Sequence, residues 1–182
     1  MINLHDQVTL VNDADEVVGQ EDKIEAHRGA GQLHRAISVF LFNSLGQLLI
    51  QQRSAKKIVA ANLWANTACG NVRPNESYED CAYRRLREEL GIKKVKLQKI
   101  DKFQYSVPFS NGFSEREIDT VFVGPYDGEV EPDLDQVQDY KWIKFKDLFT
   151  LKDQKNFAPW VAKLFEQESI VNQLQKFLQN VR

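Results

Sequence analysis

The chain has 182 residues, with 24 basic and 26 acidic side chains and a formal net charge of −2. This length is enough for one domain with a sizeable core, and the balanced charge argues against general attraction to nucleic acid or an anionic membrane. Two cysteines are too few for a disulfide framework, no apolar run could span a bilayer, and the first six residues lack the features of a signal peptide. We therefore expect a single domain over residues 1–182, located in the cytoplasm, with free thiols.

The apolar residues alternate between a period of two and a period near 3.6, which favours an α/β (α+β) domain. Turn residues between apolar runs predict two hairpins, the first of them within an N-terminal extension of residues 1–30. In chain order, the predicted strands are Val8–Val11, Glu16–Gly19, Ile37–Asn43, Gln47–Arg53, Trp64–Ala68, Lys102–Val107, Glu117–Val123 and Tyr140–Ile143. Residues 124–139 predict a solvated loop. One helical stripe over residues 159–182 predicts a C-terminal helix that covers the core, in a monomer or weak homodimer.

Residues 70–92 contain the most informative pattern in the chain. Asn75 or Ser77 could cap a helix, and Gly91 could end it as a left-handed residue. Two consecutive glutamates would then lie in the last turn, where the helix dipole disfavours negative charge. A partner with positive charge is therefore expected beside them.

Arginines or a metal ion could supply that charge. Arg84 lies four residues before Glu88, and Arg85 lies four residues before Glu89, so two surface ion pairs would suffice. The spacing of the whole segment favours the other explanation, a metal–diphosphate site.

This spacing resembles the Nudix box, G-x5-E-x7-R-E-U-x-E-E-x-G-U, in which U is aliphatic. The matching residues are Gly70, Glu76, Arg84, Leu86, Glu88, Glu89, Gly91 and Ile92. Arg85 departs from the pattern, which has a glutamate at that position. The resemblance implies the Nudix fold, a mixed β-sheet sandwiched between helices, with a loop–helix–loop that holds Mg²⁺ or Mn²⁺ against a diphosphate.

Further motifs along nearly the whole chain resemble one family of Nudix proteins, the type I isopentenyl-diphosphate isomerases. These motifs are EDKIEAH, QLHRA, QQRSAKK, LWANTACG, KFQYSV, EREIDTVF and FAPW. The resemblance implies a small-molecule diphosphate substrate. It also implies the conversion of isopentenyl diphosphate to dimethylallyl diphosphate by protonation and deprotonation, a step of isoprenoid biosynthesis.

The resemblance assigns catalytic roles to four residues. Cys69 and Glu117 would be the catalytic pair, with Glu117 as the proton donor, although a free cysteine is most often a small buried hydrophobe. Tyr105 would position the acids. Trp160 would line the hydrocarbon end of the pocket, where its π face would stabilise a carbocation. Without the resemblance, both aromatic residues would be assigned to the core.

The resemblance also implies binding of the diphosphate. Its contacts would come from Lys23, Arg53, Lys57 and Arg85, which would otherwise count as ordinary surface charge. The carboxylate of Glu89 and the backbone carbonyl of Cys69 would hold Mg²⁺ there.

A second metal site is implied around two acids of one predicted strand. Glu115 and Glu117 are two residues apart, so they share a face and repel each other; either a solvated edge strand or a divalent cation would explain them. In the family, two glutamates and three histidines bind this metal. His27 and His34 would supply two ligands. Asn71 replaces the third histidine and could offer an amide oxygen, so the set would hold Mn²⁺ or Zn²⁺ with a lower preference for zinc.

Two other functions remain open at this point. A Nudix hydrolase that cleaves a nucleotide or prenyl diphosphate would use Glu88 and Glu89 as metal ligands. A non-catalytic module would bind diphosphates without turnover, and Asn71 makes this alternative conceivable.

Overall fold

The computed structural model describes residues 7–181, and these residues contain nine strands and five helices. The strands are β1 (Gln7–Val11), β2 (Val17–Asp22), β3 (His34–Phe42), β4 (Gln47–Arg53), β5 (Trp64–Ala65), β6 (Ala68–Asn71), β7 (Gln98–Pro108), β8 (Ser114–Pro125) and β9 (Val137–Lys144). The helices are α1 (Lys23–His27), α2 (Tyr78–Leu90), α3 (Phe145–Leu151), α4 (Pro159–Phe165) and α5 (Glu168–Val181). The six N-terminal residues, on which the expectation of no signal peptide rested, lie outside the described residues.

Strand β3 is the centre of a mixed sheet. It pairs with β8 in parallel over its whole length and with β6 in the antiparallel direction. Strand β7 extends the sheet beyond β8, whereas β5 and β9 flank β4. The predicted N-terminal hairpin is present as β1 and β2. The second hairpin exists only at its turn, because β3 and β4 share the single pair Phe42–Leu48 and then diverge.

The side chain of Thr67 lies between these diverging strands. Its hydroxyl accepts a hydrogen bond from the N–H of Leu41 (2.9 Å) and donates one to the C=O of Leu49 (2.6 Å). The predicted strand over residues 64–68 is therefore wrong at its centre, since residues 66–67 separate β5 from β6. Gly70, expected in a loop, lies within β6.

Helices cover both faces of the sheet, as predicted for a Nudix fold. Helix α2 buries one apolar side against β3; this core includes Ile37, Val39, Cys81, Leu86 and Leu90. Helices α3, α4 and α5 cover the other face, in a core that includes Phe40, Phe42, Val121, Val123, Val161 and Leu174. Because consecutive strand residues point to opposite faces, β3, β4 and β8 each contribute to both cores.

Helix α2 begins and ends as the sequence predicts. The Ser77 side chain accepts a hydrogen bond from the N–H of Asp80 (3.0 Å), and Gly91 adopts a left-handed conformation with φ of 69°. A side chain at Gly91 would also collide with Glu131, because a Cβ atom there would lie 2.9 Å from the Cβ of that residue. This glycine therefore serves both the helix end and a close contact.

The C-terminal region differs from the prediction of a single helix. Two helices, α4 and α5, are separated at residues 166–167, and both bury apolar residues in the same core, so the apolar stripe continues across the break. Helices α1 and α3 were not predicted. The predicted loop is shorter than expected, because β8 extends to Pro125 and β9 begins at Val137. Within the described residues, no helix is long and apolar enough to cross a membrane.

The two hydrogen bonds of the Thr67 hydroxyl can be tested as the reason why β3 and β4 separate. We expect Thr67→Val, which keeps the shape but removes the hydroxyl, to lower the free energy of unfolding by about 2–4 kcal/mol, because two buried backbone groups lose their partner. Thr67→Ser keeps the hydroxyl and should cost only about 1 kcal/mol for the lost methyl group. Urea unfolding of both variants measures the difference; a valine variant as stable as the serine variant would contradict this account.

Candidate active site and metal centre

Three acids on one face of β8, which we call the acidic row, form the centre of the site. Glu115, Glu117 and Asp119 are 5%, 6% and 1% exposed. By strand alternation they share the face of Val121 and Val123, which belong to the apolar core under α4 and α5. Since buried carboxylates are costly without partners, the surrounding residues must compensate them.

Neighbouring strands place a partner on each side of Glu117. In register, His34 of β3 and Tyr105 of β7 are the cross-strand neighbours of this residue. The Tyr105 hydroxyl donates a hydrogen bond to Glu117 Oε2 (2.5 Å), and His34 Nε2 lies 3.3 Å from Glu117 Oε1. The structure therefore brings these sequence-predicted residues into one row across the sheet.

The two glutamates differ in their affinity for a proton. Burial and the negative charge of Glu115 raise the pKa of Glu117 well above its usual value. Burial also disfavours ionisation of Glu115, but its close contacts with His27 and Glu117 hold the pKa of Glu115 below its usual value. Without a cation, the pair thus retains one proton, and that proton resides on Glu117.

Both histidines turn the same nitrogen towards these acids. Asp22 caps the short helix α1, and His27 is the last residue of this helix. His27 Nδ1 donates a hydrogen bond to the carbonyl of Lys23 (2.6 Å). His34 Nδ1 donates to the carbonyl of Gln32 (2.8 Å). Burial lowers the pKa of His34, which favours its neutral ring. With Nδ1 as the donor, Nε2 of each neutral ring presents a lone pair, the tautomer that binds metals.

Ligand atoms of His27, His34, Glu115 and Glu117, which we call the metal-binding cluster, all lie within 4.8 Å of one another. Glu115 Oε2 lies 3.3 Å from His27 Nε2, yet it has no hydrogen-bond partner among the described residues. A cation bound between these two atoms would accept a lone pair from each of them. Two imidazole nitrogens and two carboxylates also suit Mn²⁺ or Zn²⁺, so these residues fit a divalent metal ion.

Asn71 reaches this cluster with its amide nitrogen rather than with the expected oxygen. Its Nδ2 donates to His34 Nε2 and to Glu117 Oε1, each at 2.9 Å. His34 Nε2 can only accept in the neutral ring whose Nδ1 is the donor, and this favours the amide nitrogen on this side. Asn71 therefore does not present the oxygen ligand that the sequence suggested.

Cys69 lies opposite Ser38 on the paired strands β6 and β3. Arg53 Nη1 donates a hydrogen bond to its sulfur (3.3 Å), and the same guanidinium lies 4.9 Å from the centre of the Trp160 ring. The indole N–H of Trp160 donates to Asn66 (3.2 Å). Burial raises the pKa of the Cys69 thiol to about 12, although the charge of Arg53 opposes this shift. One face of Trp160 is thus occupied by Arg53, which the sequence did not predict.

The four residues predicted as catalytic, Cys69, Tyr105, Glu117 and Trp160, line one small cavity. Its volume of about 30 Å³ is that of roughly one water molecule. A five-carbon diphosphate could enter only if the lining side chains move. Sequence reasoning missed Asp119, which lines the same cavity and continues the two-residue spacing of the acids; that spacing was the available signal.

The predicted diphosphate ligands Lys23, Arg53, Lys57 and Arg85, which we call the cation cluster, lie close to one another, and the last three also lie near one buried acid. Loss of hydration and repulsion from the other three cations lower the pKa of Lys23 to about 8. The acid is Glu89, which contacts Arg85 and Lys57 (3.1 Å) and accepts a hydrogen bond from Gln51 (2.8 Å). Four cations and one carboxylate leave an excess of positive charge suited to an anion.

The oxygens expected to hold Mg²⁺ both contact Arg85. Its Nε donates to the carbonyl of Cys69 (3.3 Å), and its Nη2 donates to Glu89. A Cβ atom at Gly70 would lie 2.7 Å from Arg85, so glycine is required for this approach. Burial opposes ionisation of Glu89, yet Arg85 and Lys57 lower its pKa to about 2. These oxygens are of the type that Mg²⁺ prefers, and Arg85 already supplies positive charge beside them.

Glu88 lies outside this pocket and is surrounded by arginines. Arg84 and Arg85 contact its Oε2 at 3.1 and 2.8 Å, and Arg73 contacts its Oε1 at 3.6 Å. Both predicted ion pairs of the helix, Arg84–Glu88 and Arg85–Glu89, are therefore present. The charges of the last turn are neutralised within the protein.

Two adjacent lysines test the anion site. We expect Lys57→Met to weaken the binding of inorganic pyrophosphate about tenfold, because it removes a charged donor from the cation cluster. Lys56→Met is the matched control: Lys56 is exposed and pairs only with exposed Asp135, so its loss should change affinity by less than about twofold. Titration calorimetry measures both; equal effects would contradict the assignment of the pocket.

Comparisons with known proteins agree with the fold and the motifs. Residues 32–167 match the NUDIX domain family. An isopentenyl-diphosphate Delta-isomerase 1 from Aromatoleum aromaticum is 44% identical over 156 residues, covering 86% of this chain and 85% of that protein. An isopentenyl-diphosphate Delta-isomerase from Burkholderia multivorans is 36% identical over 169 residues, covering 92% and 95%.

Solved structures give the same fold. The crystal structure of DR0079 from Deinococcus radiodurans matches with a TM-score of 0.69 and 25% sequence identity, over 86% of this chain and 98% of that one. A MutT protein from Methanosarcina mazei matches with a TM-score of 0.61 and 20% identity, over 77% and 95%. From the family match and the identity to these relatives over most of its length, the chain belongs to the Nudix superfamily and, within it, to the isopentenyl-diphosphate Delta-isomerases.

Proposed function

We propose that this protein converts isopentenyl diphosphate to dimethylallyl diphosphate in isoprenoid biosynthesis, as a cytoplasmic enzyme. The observation that carries the proposal is the convergence of Cys69 and Glu117 on one closed cavity, beside both the metal-binding cluster and the cation cluster. The relatives named as isopentenyl-diphosphate Delta-isomerases support the same reaction.

Glu117 is proposed to deliver the first proton. Protonation of an alkene needs a neutral acid in a dry pocket, and without a bound cation, burial and the charge of Glu115 raise the pKa of Glu117. Transfer of this proton to the terminal carbon of the alkene leaves a tertiary carbocation on the neighbouring carbon. Tyr105, which donates to Glu117 Oε2, would hold the carboxyl in place and stabilise the carboxylate that forms.

Cys69 is proposed to take or relay the second proton, from the carbon that lies between the cation and the methylene next to the diphosphate oxygen. Removal of that proton places the double bond in its new position and completes the reaction. Arg53 is the cation that contacts the sulfur, so it would favour a thiolate against the effect of burial. The carbocation would form close to Trp160, whose ring also lines the cavity.

His27, His34, Glu115 and Glu117 would hold a divalent cation, for which we propose Mn²⁺ or Zn²⁺. When bound, this ion supplies positive charge that fixes the acid pair and compensates its burial. The cation cluster would bind the diphosphate, together with Mg²⁺ held by Glu89 and the Cys69 carbonyl. Binding energy from the anionic end could then position the alkene.

The arrangement of Glu88 argues against the alternative of a diphosphate hydrolase. Such an enzyme would need Glu88 as a free metal ligand in addition to Glu89, but three arginines contact Glu88. Arg85, which stands where the Nudix box has a glutamate, contacts both acids. We therefore favour isomerisation over hydrolysis.

The reaction itself is testable in D₂O. We expect the purified protein, with isopentenyl diphosphate, Mg²⁺ and Mn²⁺, to form dimethylallyl diphosphate that carries deuterium, without release of phosphate. Proton NMR follows the product, and a phosphate assay follows hydrolysis. Phosphate release without the isomer would instead establish a hydrolase, and no change in either signal would refute both activities for this substrate.

Variants test the two proposed catalytic residues. We expect Cys69→Ala and Glu117→Gln each to lower kcat at least about a hundredfold, because each removes a group that transfers a proton. Cys81→Ala is the matched control, since Cys81 lies on α2 and contacts the backbone of Asn71 but does not itself line the cavity; its kcat should remain near that of the wild type. Normal turnover by either Cys69→Ala or Glu117→Gln would overturn the assignment.

A further inference from the structure

The metal-binding cluster holds its geometry through a side chain that is not a ligand. Asn71 Nδ2 donates to His34 Nε2 and Glu117 Oε1, two of the atoms that would face a cation. The amide nitrogen thus donates into the space in which a metal ion would be bound. A cation and this amide group would compete for the same lone pairs.

The alternative orientation of the amide would be unfavourable without metal. Rotation by 180° would turn Asn71 Oδ1 towards His34 Nε2, and two acceptors would then face each other. His34 cannot supply a proton there, because its Nδ1–H donates to the carbonyl of Gln32. The network of hydrogen bonds therefore selects the nitrogen-inward orientation.

We infer that Asn71 acts as a neutral substitute for the metal ion: its amide group holds the empty cluster together, and it must release at least one acceptor when a divalent cation binds. This inference rests on the proposed function for the presence of a cation. The hypothesis that Asn71 is an oxygen ligand predicts the opposite effect on metal affinity, because a ligand strengthens metal binding whereas a competitor weakens it. This chain should then fold stably without metal and bind Mn²⁺ less tightly than its donor set would permit.

Asn71→Ala tests the sign directly. After treatment with EDTA, and with excess Mg²⁺ present to occupy the proposed site at Glu89 and the Cys69 carbonyl, we expect the variant to bind Mn²⁺ about tenfold more tightly than the wild type by calorimetry, because no hydrogen bonds from the amide need to break. The metal-free variant should melt at a lower temperature than the metal-free wild type. Addition of Mn²⁺ should raise its Tm by more than it raises that of the wild type.

Two further variants keep the test decisive. Asn43→Ala removes another buried asparagine, which bonds to Gln47 in a distant turn, so it should lower Tm equally with and without Mn²⁺. If Asn71→Ala does not fold, Asn71→Ser replaces it, since serine is too short to reach both acceptors. Unchanged or weaker binding of Mn²⁺ by the Asn71 variant would overturn the inference.

The result is separable from the proposed function, because binding is measured without isopentenyl diphosphate. Isomerisation by the wild type together with weaker Mn²⁺ binding by Asn71→Ala would refute the role of Asn71 alone. Tighter binding by the variant without any isomerisation by the wild type would support the role of Asn71 and refute the isomerase.

Discussion

The burial of three carboxylates on one face of β8 is the constraint on which the site depends. Glu115, Glu117 and Asp119 occupy the face that elsewhere forms an apolar core, so each needs a partner from another element. His27 comes from α1, while His34 comes from the first position of β3. The elements around this row supply a hydroxyl donor from Tyr105, an amide donor from Asn71 and two histidine nitrogens that could share a cation with the acids.

The cation cluster is a second charged centre, in which positive side chains outnumber the acid beside them. Glu89 is a single buried acid among cations, and its pKa of about 2 shows how strongly Arg85 and Lys57 favour its charge. The two centres therefore suit ligands of opposite charge. The acidic row offers lone pairs that could bind a cation, and the cation cluster has positive charge that could bind an anion. A substrate with an alkene at one end and a diphosphate at the other matches this polarity.

Features set by local sequence were predictable, whereas features set by contacts between distant segments were not. Ser77 and Gly91 defined α2 because caps act within one turn of their helix. The shared face of the acids followed from strand alternation alone. The divergence of β3 from β4 depends on Thr67, which bonds to residues 18 and 26 positions away, and no periodicity encodes such a contact. The orientation of Asn71 was equally hidden, since it depends on which nitrogen of His34 is the donor.

Arg53 connects the two ends of the proposed site. Its guanidinium contacts the Cys69 sulfur and lies over the Trp160 ring, and it also belongs to the cation cluster that would bind a diphosphate. An anion that attracts this side chain would alter the electrostatic environment of the thiol and uncover the face of the indole at the same time. Because the small cavity holds only about one water molecule, some such movement must accompany entry of any substrate. Recognition of the anion and preparation of the reacting end would then be coupled through Arg53, because this one side chain contacts both the Cys69 sulfur and the Trp160 ring.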